Sequence, residues 1–185
     1  MRAIAAVALV VVAITRVSAA QPVPYLGLYS DAATFVFCDL DDDFMGLCPL
    51  YVVQSYAPGL ASRFKVDNTH GFTAIPVNTI VHTPAWTGDP YEDISLEYGG
   101  CLSPPVLLMT LVFFCQGTTP DCAYLFVAPG SSGEMWVTDC GGVQQTPGSF
   151  YFIVNETLAC PCGQPVPPPS PVEATTWGQI KALYE

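Results

Sequence analysis

Positive charge is the scarcest property of this chain. Five Lys and Arg stand against sixteen Asp and Glu in 185 residues. Arg2 and Arg16 lie in the N-terminal segment, which leaves Arg63, Lys65 and Lys181 for everything that follows. A surface so poor in cations repels phosphate backbones and anionic lipid heads, so nucleic acid and membrane surfaces are poor partners. Long apolar runs are missing too. Ala3 to Ile14 is uninterrupted, but a membrane span needs about 20 residues.

Catalytic spacings are equally absent. Gly130-Ser131-Ser132-Gly133 lacks the Gly-x-Ser-x-Gly order of a nucleophile elbow. The two histidines, His70 and His82, have no clustered partners in sequence. Cys160-Pro161-Cys162 holds one intervening residue, where a redox pair has two and structural zinc pairs have two to four. No internal repeat is visible, and helical periodicity is hard to find before the C-terminus.

What is present begins with a leader. Arg2 supplies a positive start, Ala3 to Ile14 the apolar stretch, and Val17-Ser18-Ala19-Ala20 the small residues of a cleavage site. Residues 1–20 therefore read as a signal peptide and the remainder as a soluble exported chain, secreted, periplasmic or extracellular. Behind that leader stand eight cysteines: Cys38, Cys48, Cys101, Cys115, Cys122, Cys140, Cys160 and Cys162. An even count in an exported chain predicts four disulfides and no free thiol, with a pairing that spacing alone does not give. A hairpin turn at Gln116–Asp121 would bring Cys115 and Cys122 together as one candidate pair.

Between Tyr25 and Val154 short β-type runs are separated by Gly, Pro, Asn and Asp. The expected strands are Tyr25–Tyr29, Thr34–Cys38, Leu50–Tyr56, Arg63–Val66, Phe72–Val81, Ile94–Tyr98, Val106–Cys115, Ala123–Ala128, Glu134–Asp139 and Phe150–Val154. About ten such runs predict an all-β domain over residues 21–162, an antiparallel β-sandwich cross-linked by disulfides. Residues 163–171 are proline-rich and read as a polyproline II spacer. Residues 172–185 read as a short amphipathic helix, with Trp177, Ile180 and Tyr184 on one face as a candidate partner-binding tag.

Asp39-Leu40-Asp41-Asp42-Asp43 is the densest acidic cluster. Asp39, Asp41 and Asp43 match the first ligand positions of a calcium loop, but Phe44 stands where glycine is needed and Leu50 where the last glutamate belongs. Ca²⁺ is thus a candidate ligand, set against a solvated acidic loop, and no other cofactor is implied. Glu92, Asp93 and Glu97 could supply a carboxylate pair for hydrolysis. Trp86, Tyr91, Trp136, Tyr151 and Phe152 could stack on sugars or a protein, although core packing claims most aromatics in a sandwich. Trp86 sits in a stretch that reads as a loop, 84–90. Asn155-Glu156-Thr157 is a glycosylation acceptor only in a eukaryotic secretory route.

Several segments together carry a likeness: Gly27-Leu28-Tyr29-Ser30-Asp31, Tyr51-Val52-Val53, Phe64-Lys65-Val66, Tyr98-Gly99-Gly100-Cys101-Leu102, Asp139-Cys140 and Cys160-Pro161-Cys162. The most specific is the tail Thr176-Trp177-Gly178-Gln179-Ile180-Lys181-Ala182-Leu183-Tyr184. In these the chain resembles a family of small exported bacterial β-domain proteins of uncharacterised function. Cys48 and Cys115 are additional to that pattern, and the resemblance implies that they pair with each other. Glu185 stands where a basic residue is the pattern. The likeness implies a bacterial envelope or extracellular β-domain with a C-terminal tag and no enzymatic activity.

The reading that results is a non-catalytic binding, adhesion or structural module whose partner is an envelope or extracellular protein or glycan. A Ca²⁺-stiffened carbohydrate-binding module and a secreted hydrolase using paired carboxylates are the alternatives.

Overall fold

In a computed structural model, which describes residues 22–35 and 38–164, the chain is all-β. Twelve strands form among them: β1 (Tyr25–Tyr29), β2 (Asp39–Leu40), β3 (Met45–Ser55), β4 (Gly59–His70), β5 (Ile75–Val81), β6 (Ala85–Asp89), β7 (Asp93–Leu102), β8 (Val106–Gln116), β9 (Ala123–Ala128), β10 (Trp136–Thr138), β11 (Gln144–Gln145) and β12 (Phe152–Val154). The expected signal peptide, proline-rich spacer and helical tail lie outside the described residues, apart from Gly163 and Gln164 of the spacer. Among the described residues no helix is long and apolar enough to cross a membrane.

The strands make two sheets. One has four strands in the order β1-β3-β8-β5; the other has eight, with β11-β10-β4-β9-β12-β2 as its path and β7 and β6 added beside β4. Pairing is antiparallel except for β12 with β2. Period-two alternation decides which side chains turn inward. Leu26 and Leu28, Leu50 and Val52, and Leu111 and Phe113 come from the smaller sheet. Phe64 and Val66, Ile94 and Leu96, and Leu125 and Val127 come from the larger, and all join one buried cluster. Two sheets facing across one core are a sandwich.

β4 ties the larger sheet together. Its first half pairs with β7 on one edge and β10 on the other, and its second half pairs with β9. β9 and β10 share an edge because the opposite edge at Val66 is taken by Pro90, whose carbonyl accepts the Val66 N–H at 2.6 Å. Across the core, Tyr98 donates its hydroxyl to Gln54 Oε1 at 2.6 Å, and Gln54 Nε2 donates to the Ala57 carbonyl at 2.8 Å. This buried pairing satisfies groups that would otherwise lose solvation. Burial pushes the Tyr98 phenol well above its ordinary value.

Four disulfides form: Cys38–Cys162, Cys48–Cys115, Cys101–Cys140 and Cys122–Cys160. No described cysteine is free. The expected Cys115–Cys122 pair is wrong, whereas the pairing implied by the resemblance, Cys48–Cys115, forms. The reason is topological. Gln116–Asp121 does not close a hairpin but carries the chain from β8 in one sheet to β9 in the other. Other expectations shift as well, and residues 36–37 of the expected strand Thr34–Cys38 lie outside the described residues. Residues 32–34 form a turn, Phe72 to Ala74 precede β5 rather than belong to it, and the stretch around Trp86 is strand β6, paired with β7.

Candidate functional site

The outer face of the four-stranded sheet is the least expected surface of the molecule. β1, β3, β5 and β8 contain no Asp, Glu, Lys, Arg or His. Residues paired across an antiparallel ladder share a face. Leu47 pairs with Phe114, and Phe114 with Ile75, so three strands present one apolar row. The next row is Pro49, Val112 and Asn78, followed by Tyr51, Thr110 and Ile80. Leu47 is 66 % exposed, Ile75 54 % and Phe114 38 %, with Phe44 and Met45 open at the same end. The register irregularity between Pro76 and Asn78 leaves Val77 exposed as well. His82 Nε2 lies 2.9 Å from Thr110 Oγ1 and marks a polar border at the other end.

Contiguous exposed hydrocarbon is uncommon on a soluble monomer, and charge depletion with Met and aromatic enrichment is the composition of an interface core. Sequence reading missed this face. The apolar runs were visible, but which of their residues point away from the core depends on the register.

The acidic cluster is divided by the fold. Asp39 lies in β2, and its carboxylate, that of Glu156 and Sγ of Cys162 fall within 4.8 Å of one another. That sulfur is bonded to Cys38 and is no thiolate. Asp39, Asp41 and Glu156 line an open depression with Thr157, Leu158 and Pro161, and Asp43 is exposed two residues before β3. A calcium ion takes six to eight oxygens, and these three carboxylates reach six only if each binds through both of its oxygens. Asp42, unmarked in sequence, is the buried one. It accepts the backbone N–H groups of Gly117 at 2.9 Å and Thr119 at 3.3 Å. Its own N–H donates to Asn155 Oδ1 at 2.7 Å, while Asn155 Nδ2 donates to the Thr119 carbonyl at 2.6 Å. Asn155, the glycosylation acceptor of the sequence, thus spends its amide on the fold.

Among the hydrolase carboxylates, Asp93 is gripped by Arg63. Arg63 Nε and Nη2 donate to its two oxygens at 2.8 Å each, and Nη1 reaches Glu134 at 3.0 Å. The guanidinium holds the Asp93 carboxyl below the usual carboxylate range, the opposite of what a general acid requires. Glu97 is exposed on β7, and the Glu92 carbonyl accepts the Ser131 N–H.

The aromatics separate as well. Trp86 is 53 % exposed on β6, and Phe152 is fully buried. Burial pushes the Tyr91 phenol to about 12, with Asp89 adding to the shift. Trp136 borders a shallow depression with Met135 and Gln144. Tyr151 joins His70, Tyr124 and Phe126 on the outside of β4, β9 and the start of β12. There His70 stacks on Tyr124 at 4.4 Å and Tyr151 meets Tyr124 edge-on at 4.9 Å. Rings stacked on one another have that face covered, and a sugar platform needs faces. Trp177, Ile180 and Tyr184 lie outside the described residues.

No family model and no curated protein sequence matches the chain. Among solved structures it is similar to the sixth cohesin of Acetivibrio cellulolyticus scaffoldin B, solved in complex with a Cel5 dockerin mutant. The identity is 12 %, the match covers 72 % of this chain and 99 % of that one, and the TM-score is 0.48. It is also similar to a chain of a type I cohesin–dockerin complex from Clostridium thermocellum, at 11 % identity, 71 % and 99 % coverage and a TM-score of 0.46. At these scores, both under 0.5, the likenesses carry no conclusion about the fold of this chain or what it binds.

Proposed function

We propose that this protein is a non-catalytic, exported binding module of a bacterial envelope or extracellular assembly, and that its partner is a protein. The observation that carries the reading is the charge-free outer face of β3, β8 and β5, centred on Leu47, Phe114 and Ile75. Hydrocarbon of this kind offers a glycan few hydrogen bonds, whereas it suits an apolar protein surface. Asp41 and Asp43 are exposed just before β3. Both described Lys and Arg residues are engaged, Arg63 by Asp93 and Glu134, Lys65 by Asp67 at 3.4 Å. Negative charge therefore borders the face at its Phe44–Met45 end, and the complementary partner is apolar at its centre and basic beside that end. Four disulfides suit an oxidising compartment outside the cytosol. In this reading the tail carrying Trp177, Ile180 and Tyr184 is a tag recognised separately by an export or anchoring receptor.

The test is a Leu47→Asp/Ile75→Asp double variant, compared with Trp86→Asp on the other sheet. All three side chains are exposed, so melting temperatures should stay close to wild type. Binding to the purified envelope of the source bacterium should fall at least tenfold for the double variant and remain for Trp86→Asp. Equal binding by all three proteins removes the face from the function. A wild-type dimer dissociated by the double variant would assign the face to a second copy instead. Deleting Val172–Glu185 should change location without changing the melting temperature.

A further inference from the structure

An aromatic depression opens where the described chain ends. Its walls are Tyr25, Tyr56, Phe150 and Gly163, and it encloses about 420 Å³. Two of the walls are fixed by glycines. A Cβ at Gly27 would collide with the Phe150 ring, and one at Gly148 with the Tyr25 ring. Each ring thus lies directly on the other segment's backbone. The two segments are also joined by hydrogen bonds, Leu26 N–H to the Gly148 carbonyl and Gly148 N–H to the Pro24 carbonyl, both at 2.9 Å. Tyr56 completes the site. It stands edge-on to Tyr25 at 5.5 Å, is 69 % exposed, and adopts φ +68°, a left-handed conformation that disfavours a bulky residue. The fold thus holds an exposed ring in place at a backbone cost.

The chain itself leads into this depression. The Gln164 carbonyl accepts the Tyr151 N–H at 2.9 Å, and Gly163 is one of the walls. The next residues are Pro165-Val166-Pro167-Pro168-Pro169-Ser170-Pro171. Proline has no N–H to strand, and polyproline segments dock in aromatic-lined grooves with little ordering cost. We propose that residues 165–171 of this same chain seat against Tyr25, Tyr56 and Phe150 as an intramolecular strap, which fixes where Val172–Glu185 leaves the domain. Covalent attachment beside the groove gives the strap an effective concentration on the order of millimolar, so it outcompetes a dilute external proline-rich segment.

Nuclear Overhauser contacts in the isotopically labelled mature protein test the proposal. Proline ring protons of 165–169 should contact the Tyr25, Tyr56 and Phe150 rings and shift upfield. Tyr56→Ser should abolish these contacts while the amide spectrum of the two sheets persists. Pro167→Gly/Pro168→Gly, which alters no described residue, should abolish them as well and covers the case in which Tyr56→Ser fails to fold. A synthetic peptide of residues 165–171 at ~0.1 mM, well under that effective concentration, should leave the wild-type rings unshifted. Proline resonances without ring contacts would overturn the strap. So would contacts to Leu47, Phe114 or Ile75, or saturable peptide binding to the wild type, which would give the groove to an external partner.

Discussion

The two sheets solve the same packing problem with different means. The four-stranded sheet uses long strands, two of them eleven residues, and no charge. The larger sheet contains β2, β10, β11 and β12, each of two or three residues. It carries Arg63, Lys65, Asp67, Asp93 and Glu97 on its strands. Three of the four disulfides anchor segments beside those short strands: Cys162 to Cys38, Cys140 to Cys101 and Cys160 to Cys122. Where a ladder has too few pairs to hold itself, a covalent bond holds it. Where it is long, one bridge suffices and the outer face is free for another molecule.

Reduction should break this arrangement most completely. Each bridge contributes about 2–5 kcal/mol in a small secreted domain, and total stability is typically about 5–15 kcal/mol. Circular dichroism should show the fully reduced chain unfolded at room temperature. Single bridges sharpen the comparison. Global stability should follow the sequence separations of 124, 67, 39 and 38 residues, so Cys38→Ala/Cys162→Ala loses most. Local protection should follow strand length instead. Hydrogen exchange should open β10 and β11 in Cys101→Ala/Cys140→Ala but leave β3 and β8 protected in Cys48→Ala/Cys115→Ala. Equal opening in both variants would refute the division of labour.

Neighbouring phenylalanines of β8 probe the two faces of one sheet. Phe113 is fully buried and meets Phe72 edge-on at 5.0 Å. Its change to Ala should cost about 3–5 kcal/mol in urea unfolding. Asp42→Ala leaves two loop N–H groups without their acceptor and should cost about 1–3 kcal/mol, with Asp42→Asn losing less. Phe114→Ser, on the outer face where the ring is 38 % exposed, should cost about 1–2 kcal/mol, less than Phe113→Ala.

The smallest effect belongs to the charged sheet. Asp93 has a folded pKa depressed by Arg63. Its contribution is therefore present above the unfolded value of about 4 and is lost as pH falls through the folded one. Arg63→Met should flatten the fall in stability below about pH 4, and a melting profile that is unchanged in that window would sink the assignment.

Much of this was legible in the residues. Tyr25–Tyr29 and Ala123–Ala128 are strands at the expected bounds, because alternation and flanking turn residues agree there. β6 was missed, since Ala85-Trp86-Thr87-Gly88-Asp89 has no apolar alternation and is held by its pairing with β7. The acidic cluster was visible as a cluster. That Asp42 turns inward while Asp41 and Asp43 stay exposed follows from a loop pinned to Asn155, 113 residues away.

The sequence by itself determined the all-β class and the even count of cysteines behind a leader-like segment, because periodicity and composition are local properties. The tertiary structure decided which cysteines meet, which carboxylate is buried and which apolar side chains face outward. Those outcomes depend on register and on which sheet a strand enters, and a shift of one residue exchanges the core face for the outer one. The row of Leu47, Phe114 and Ile75 exists only once three strands from distant parts of the chain are laid side by side.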